Sequence, residues 1–139
     1  MATRSTIAIE NLDGTVSQVY CHWDGYLEGV GKTLLKHYNT REAVQKLISG
    51  GAISSLGDYI SEEVEPFNRV LDGPDYTVYY TFRGEKIRIH NFSSLNDYEE
   101  NHQFEEFDYI FTKDDVWSVF QDKNHDWDDL ECLLGDENE

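Results

Sequence analysis

The N-terminal segment of about forty residues constrains the fold most. Its sequence is typical, in order and without a gap, of a strand, a tight turn, a second strand, a glycine-rich loop and a helix. Ile7 and Ile9 alternate with small or polar neighbours, which is the period-two pattern of a half-buried strand. Residues 11–14 contain the Asp-Gly pair that tolerates the positive φ of a tight hairpin. The return segment 15–22 is rich in β-branched and aromatic residues. This stretch therefore predicts an N-terminal β-hairpin followed by a helix.

The loop after the hairpin contains Gly-Val-Gly-Lys-Thr at 29–33, which is close to a phosphate-binding P-loop. That motif requires a glycine five residues before its Gly-Lys pair, so that successive backbone N–H groups surround the phosphates. Tyr26 occupies that position and the glycine is Gly25, so the loop is one residue too long. A P-loop also belongs to a parallel sheet, whereas a hairpin is antiparallel. The pattern favours a flexible entry to a helix over a nucleotide-hydrolysis site.

Two helices and two more hairpins are predicted along the rest of the chain. The helices cover about 29–38 and 40–49, and four apolar residues of the second share one stripe. Alternating segments predict hairpins at 76–90 and at 107–120, each with a polar or glycine-containing turn. We therefore expect an α+β fold with a mostly antiparallel sheet of three hairpins, covered on one face by the two helices.

The 139 residues are 39% hydrophobic, which suits one domain over 1–134 with a frayed acidic tail at 135–139. The start shows no apolar leader, and no apolar run approaches the about 20 residues that span a bilayer. Cys21 and Cys132 lie far apart without paired spacing, which fits a reducing cytoplasm. No cysteine or histidine pair has metal-ligand spacing, so neither a metal site nor a cofactor is predicted.

Charge is concentrated in the last third of the chain. The net charge is −17, and residues 97–139 hold sixteen acidic residues against Lys113 and Lys123. Such a density costs stability through self-repulsion unless solubility or a cationic partner offsets it. Direct nucleic-acid binding is disfavoured, because phosphate contacts need clusters of Lys and Arg. We expect this third to be an anionic surface.

The C-terminal segment 122–133 places acidic or amide side chains at alternate positions, as a calcium-binding loop does. Trp127 stands where that loop requires glycine, and Leu133 stands where it requires a bidentate glutamate. The segment instead predicts a short amphipathic helix. In this interpretation four apolar side chains dock on the core and the carboxylates face solvent; the docking residues are Trp127, Leu130, Leu133 and Leu134.

The end of the second predicted strand holds the candidates for catalysis or ligand binding. Cys21 and His22 are adjacent on a strand and point to opposite faces, so they do not form a nucleophile and base pair. No catalytic constellation supports an enzyme, and Cys21 is predicted to pack in the core. Aromatic and charged loop residues offer a ligand site instead: His22, Trp23, Asp24, Tyr26 and Lys32. The alternative is that Trp23 and Tyr26 only attach the loop to the core.

Four segments of the N-terminal sequence occur together. They are Thr-Arg-Ser-Thr-Ile-Ala-Ile-Glu at 3–10, Asp-Gly-Thr-Val at 13–16, Val-Tyr-Cys-His-Trp-Asp-Gly-Tyr at 19–26, and Gly31, Lys32, Leu34 and Leu35. Over about the first forty residues, this combination resembles a family of small accessory proteins encoded by tailed bacteriophages. The resemblance implies a viral protein working in the host bacterial cytoplasm, where small acidic phage proteins bind host or defence proteins. It implies no activity, cofactor or catalytic residue.

Two functions are expected from these observations. The first is an interaction protein whose acidic third occludes a basic surface of a host or defence protein, possible because a carboxylate array can imitate a nucleic-acid backbone. Its candidate contacts are Glu99, Glu100, Glu105, Glu106, Asp126, Asp128, Asp129 and Glu131. The second is a binder of a small nucleotide-like ligand at the loop residues 22–32. A third interpretation is that the acidic face only keeps the protein soluble.

Overall fold

A computed structural model describes residues 3–58, 60, 77–101, 105–121 and 126–135. The strands are β1 (Ser5–Glu10), β2 (Val16–Cys21), β3 (Ile53–Ser55), β4 (Val78–Tyr79), β5 (His90–Phe92), β6 (Phe107–Phe111), β7 (Trp117–Gln121) and β8 (Asp126–Asp129). The α-helices are α1 (Lys32–His37), α2 (Arg41–Ser49), α3 (Leu95–Asn101) and α4 (Leu130–Gly135). Among these helices none is long and apolar enough to cross a membrane.

The fold is α+β with one mixed open sheet in the order β4-β3-β2-β1-β6-β7-β8, and β5 pairs with β2 beside this path. β1 is antiparallel to β2 but parallel to β6, and β2 is parallel to β3. The prediction of a mostly antiparallel sheet built from hairpins is therefore too simple. Hairpins follow from local sequence, whereas the β1–β6 pair joins Ser5 to Phe107 across the whole chain and depends on shared burial.

The first and third predicted hairpins are present as β1–β2 and β6–β7. The second predicted hairpin is wrong. β4 has only two residues and is followed by a 3₁₀ turn at Tyr80–Arg83, which ends at Gly84 with φ +88°. β5 then pairs with β2 rather than with β4, and Val16 lies opposite Phe92. Tertiary burial explains the change, because Tyr79 is buried and its hydroxyl donates to the Leu47 carbonyl oxygen at 2.6 Å.

Both faces of the sheet are covered, and alternation along β1 defines them. The front face is the side of Ile7 and Ile9, which share a core with residues of α1, α2 and α4. The back face is the side of Ala8, which packs with Val16, Tyr98 and Ile110 under β5 and α3. The prediction that two helices cover one face is correct for α1 and α2, but the second cover was not predicted. The sequence pattern gives little indication of this back-face cover, because the cover packs only a few large apolar side chains against the sheet.

The predicted helix positions hold in part. Thr40 caps α2 by accepting a hydrogen bond from the Ala43 N–H at 3.2 Å, as the sequence indicates. The helix expected at about 29–38 begins as a π-helical turn at Leu27–Gly31 and continues as α1.

The predicted C-terminal amphipathic helix is a strand followed by a helix, because β7 pairs with β8 before α4 begins. Leu130 and Leu134 of α4 are buried in the front core as expected, whereas Leu133 is exposed. Trp127 docks on the back face instead, with its ring centroid 5.3 Å from that of Phe120. Gly135 ends α4, and residues 136–139 of the predicted tail lie outside the described residues.

Arg41 joins α2 to the ends of both confirmed hairpins. Its guanidinium donates to the Glu10 carbonyl oxygen at 2.8 Å and to the Thr112 carbonyl oxygen at 2.9 Å. The same group pairs with the Asp115 carboxylate at 3.0 Å and lies over the Phe111 ring, 5.5 Å from its centroid. The Arg41 side chain is only 13% exposed and its two bonds to carbonyl oxygens are partly buried, whereas the Asp115 carboxylate is 59% exposed.

We expect Arg41→Lys to lower the free energy of unfolding by about 2 kcal/mol, because lysine keeps the charge but loses the planar fork that reaches three acceptors. Urea denaturation followed by circular dichroism measures this change. Lys36→Arg, on the exposed side of α1, is the control and should stay within about 0.5 kcal/mol of the parent. Equal stabilities for the two variants would show that the Arg41 contacts contribute nothing.

Candidate functional site

The loop between β2 and α1 is held to the sheet by its backbone. The N–H groups of His22 and Trp23 donate to carbonyl oxygens of β3 at 3.0 and 3.1 Å. The Gly25 N–H donates to the Thr3 carbonyl oxygen at 2.8 Å, and the buried Tyr109 hydroxyl donates to the Gly25 carbonyl oxygen at 2.7 Å. The loop is therefore fixed to the core, where the sequence predicted a flexible entry to the helix.

The glycines of this loop serve close packing. A Cβ on Gly29 would overlap the Asp24 carbonyl oxygen, and a Cβ on Gly31 would lie 3.2 Å from the Tyr109 hydroxyl. The N–H groups of Gly29 and Gly31 both donate to the Tyr26 carbonyl oxygen. The Val30 N–H donates to the Asp24 carbonyl oxygen at 2.8 Å. Because these N–H groups point into the loop, they do not form the phosphate cradle that a P-loop requires.

Two large aromatic side chains of the loop are exposed. Trp23 is 44% exposed and Tyr26 is 41% exposed, and neither belongs to a core; Leu27 is the residue that packs against the front core. The two rings therefore present part of their surface to solvent, and their role in ligand binding or in attaching the loop to the core stays a prediction. His22 contacts the Trp23 ring edge at a centroid distance of 4.7 Å.

The two charged members of the loop set are exposed. Asp24 has φ +58°, a strained conformation for a non-glycine residue that is common at functional sites. Lys32 is the first residue of α1. The structure thus keeps His22 and Trp23 in contact and leaves the other three candidates on the surface of the same loop.

The acidic candidates do not share one face of the sheet. Glu99 and Glu100 are exposed on α3, whose Tyr98 packs in the back core. Glu131 is exposed on α4, whose Leu130 packs in the front core. β8 is the outermost strand of the described sheet, α4 follows it on the front face, and Tyr98 of α3 lies 6.1 Å from the Trp127 ring of β8 on the back face, so part of the acidic set flanks this edge.

The remaining acidic candidates have mixed roles. Asp129 caps α4, because its carboxylate accepts from the Cys132 N–H at 3.1 Å. Asp128 is half-buried and Asp126 begins β8 opposite Gln121. The exposed Glu106 accepts from the Arg4 N–H at 3.4 Å. Glu105 is half-buried and lies at a cleft on the back face.

This back-face cleft was not predicted from the sequence. It has a volume of about 180 Å³ and is lined by residues of β1, β2, β5 and the end of α3, together with Glu105; they are Thr6, Gln18, Tyr20, His90, Asn91, Phe92, Asn101 and Glu105. The sequence indicates this cleft in one way: the polar residues Thr6 and Gln18 occupy buried positions in two otherwise apolar strands. The lining comes from four separate segments, so spacing along the chain does not reveal it.

A buried hydrogen-bond network forms the floor of the back-face cleft. The Asp108 side chain is fully buried and accepts from the Thr6 hydroxyl at 2.6 Å. The Thr6 oxygen accepts in turn from the Gln18 amide at 3.0 Å. The Glu105 N–H donates to both Asp108 carboxylate oxygens at 3.3 Å. At the outer end of the cleft, the Tyr20 hydroxyl and His22 Nδ1 share a hydrogen bond of 2.7 Å.

Comparisons of the chain with protein-family models, with curated proteins and with solved structures find no match. In the parts of the chain that the structure describes, no three His, Cys, Asp or Glu side chains are grouped to hold a metal ion. The function is therefore inferred from the residues and contacts of this chain, together with the resemblance of its N-terminal sequence.

The Cys21 thiol is buried on the front face, and burial raises its pKa to about 12. The raised pKa keeps the thiol protonated at pH 8, where a thiolate is needed for reaction with Ellman's reagent. We expect the folded protein to react quickly at one cysteine, the exposed Cys132, and at both after unfolding in urea. Rapid reaction of two thiols in the folded protein would contradict the burial of Cys21.

Proposed function

We propose that this protein is an acidic interaction protein that binds and occludes a basic surface of a partner protein. The observation that carries the proposal is the distribution of its ion pairs. Within the described residues the ion pairs use Asp58, Glu85 and Asp115, and none uses the acidic set around β8. Carboxylates that have no ion pair among the described residues attract a cationic partner over distances near the Debye length, about 10 Å at 0.1 M salt.

The position of the acidic residues favours a partner that meets the β8 edge. Glu99 and Glu100 belong to the back-face helix, and Glu131 belongs to the front-face helix. A flat partner surface lying on one face would contact only one of these groups. A basic groove that receives the edge, as a groove receives a nucleic-acid strand, would contact both groups. This geometry supports occlusion by a carboxylate array that imitates a phosphate backbone.

The partner follows from the same chemistry and from the N-terminal resemblance. A surface rich in Lys and Arg that normally holds nucleic acid is complementary to this edge. The resemblance to tailed-bacteriophage accessory proteins supports a setting in the host bacterial cytoplasm, with a host or defence protein as the partner. Binding requires no cofactor and no catalysis, because steric occlusion is sufficient.

We expect the double variant Glu99→Gln/Glu131→Gln to weaken partner binding by about threefold to tenfold, since it removes one charge from each side of the β8 edge. The measurement is affinity capture from bacterial lysate at low and high salt, followed by titration of the captured protein. Double-stranded DNA added as a competitor should release that protein.

The control is Glu28→Gln/Glu42→Gln, which removes the same charge from exposed positions outside the acidic third. Its binding should remain close to that of the parent. If both double variants lose affinity equally, only net charge matters and the acidic face is a solubilising surface. Capture that is insensitive to salt would contradict the electrostatic mechanism.

A second candidate function is binding of a small nucleotide-like ligand at the 22–32 loop. The exposed Trp23 and Tyr26 rings favour it, because they stand on a loop that is already ordered by hydrogen bonds to the core. An ordered loop loses little conformational entropy on binding. Lys32 is the nearest cation in sequence to the rings and would balance a phosphate, while the glycine N–H groups would not contribute.

We expect Trp23→Ala to raise the Kd for adenosine or guanosine 5′-monophosphate at least about tenfold, because base stacking on an aromatic ring is worth about 1–3 kcal/mol. Isothermal titration calorimetry measures the Kd. Leu12→Ala, at an apolar side chain that is 68% exposed in the first hairpin turn, is the control. Equal affinities for the two variants would exclude a stacking site at Trp23, and the Glu99→Gln/Glu131→Gln variant should bind like the parent.

A further inference from the structure

The back-face cleft has an ordered floor before any ligand arrives. Thr6 is fixed between the Asp108 carboxylate and the Gln18 amide, both of which belong to buried positions of the sheet. A floor that is already hydrogen-bonded binds ligand polar groups without first ordering its own side chains. The floor therefore has the property of a preformed polar site.

The walls of the cleft offer hydrogen-bond acceptors. The Asn91 carboxamide supplies no group to the cleft, because it lies on the front face, where its oxygen accepts from the Ser17 hydroxyl at 3.0 Å. The Asn101 NH₂ donates to Asp97 at 2.6 Å, which leaves its amide oxygen as an acceptor. The half-buried Glu105 carboxylate is a further acceptor on the same wall. Two side-chain acceptors are thus placed on one wall of the cleft, and they suit the N–H groups on the edge of a base.

Phe92 gives the cleft an apolar ring surface. Its ring packs edge-on against Tyr98 at a centroid distance of 5.5 Å, and the residue is only half-buried. Among the eight lining residues there is no Lys and no Arg, and Glu105 and the underlying Asp108 are acidic. The lining therefore favours a planar, uncharged ligand and disfavours a phosphate group.

We propose that this cleft binds a nucleobase or nucleoside without its phosphates. The volume of about 180 Å³ is below the roughly 300–1,000 Å³ of sites for drug-sized ligands, so it suits a single base. Carboxamide and carboxylate groups recognise the hydrogen-bonding edge of a base, and an aromatic ring contacts its flat face. The proposal does not depend on the loop site at Trp23, and it shares only Glu105 with the acidic set of the partner proposal.

The test is titration of the full ¹⁵N-labelled chain with guanosine, adenosine, cytidine and uridine, followed by heteronuclear NMR. We expect at least one nucleoside to shift the backbone amides of 90–92 and 101, while the amides of 25–31 stay unchanged. The matching 5′-monophosphate should bind at least about threefold more weakly, because its phosphate meets an acidic surface. Ribose alone should cause no shift.

Glu105→Gln should weaken the binding of that nucleoside about tenfold, because a hydrogen bond to a charged group is lost. Glu106→Gln is the matched control, with the same change at the next residue but outside the cleft lining. Thermal unfolding confirms that both variants fold, since the Glu105 N–H bond to Asp108 does not involve the altered side chain. No shift with any nucleoside at millimolar concentration, equal shifts with ribose, or equal weakening in the two variants would overturn the proposal.

Discussion

The central position of β1 is the constraint on which the rest of the structure depends. Its antiparallel partner β2 is local, while its parallel partner β6 lies about a hundred residues further along the chain. Residues Ser5–Ile9 are buried, so both faces of this strand need a cover. The front cover is the helices α1, α2 and α4, and the back cover is α3 with β5. Arg41 fastens the front cover by reaching the turns of both hairpins that flank the central pair.

The two covers differ in how apolar their cores are, and this difference explains where the candidate cleft lies. The front core is extensive and apolar, and it includes the inert Cys21. The back core is small and shares its face with the polar Thr6, Gln18 and Asp108. A polar cleft lies on this face, bordered by β5, the end of α3 and Glu105. Most of the acidic set lies on α3, β8 and α4, and Glu105 is the member of this set that also borders the cleft.

Local patterns predicted the elements whose partners are close in sequence. Period-two alternation and the Asp-Gly turn predicted β1 and β2, and the Thr40 cap predicted the start of α2. The same reasoning failed for 76–90, where burial of Tyr79 against α2 and pairing of β5 with β2 replace a hairpin. It also failed at Asp126–Asp129, because an alternating acidic segment beside an unfilled sheet edge extends the sheet. For the candidate sites, it identified the loop at Trp23 but not the cleft at Glu105, whose lining comes from four segments.

The sequence by itself determined the local hairpins, the second helix, the uneven distribution of charge and the exposed chemistry of the 22–32 loop, because these depend on neighbours within a few residues. Only the tertiary structure decided that β1 pairs with β6 in parallel, that α3 and α4 lie on opposite faces, and that Asp108 is buried beneath Thr6. These features depend on contacts between residues about a hundred positions apart. Shared burial, rather than local conformational preference, provides the free energy for such contacts.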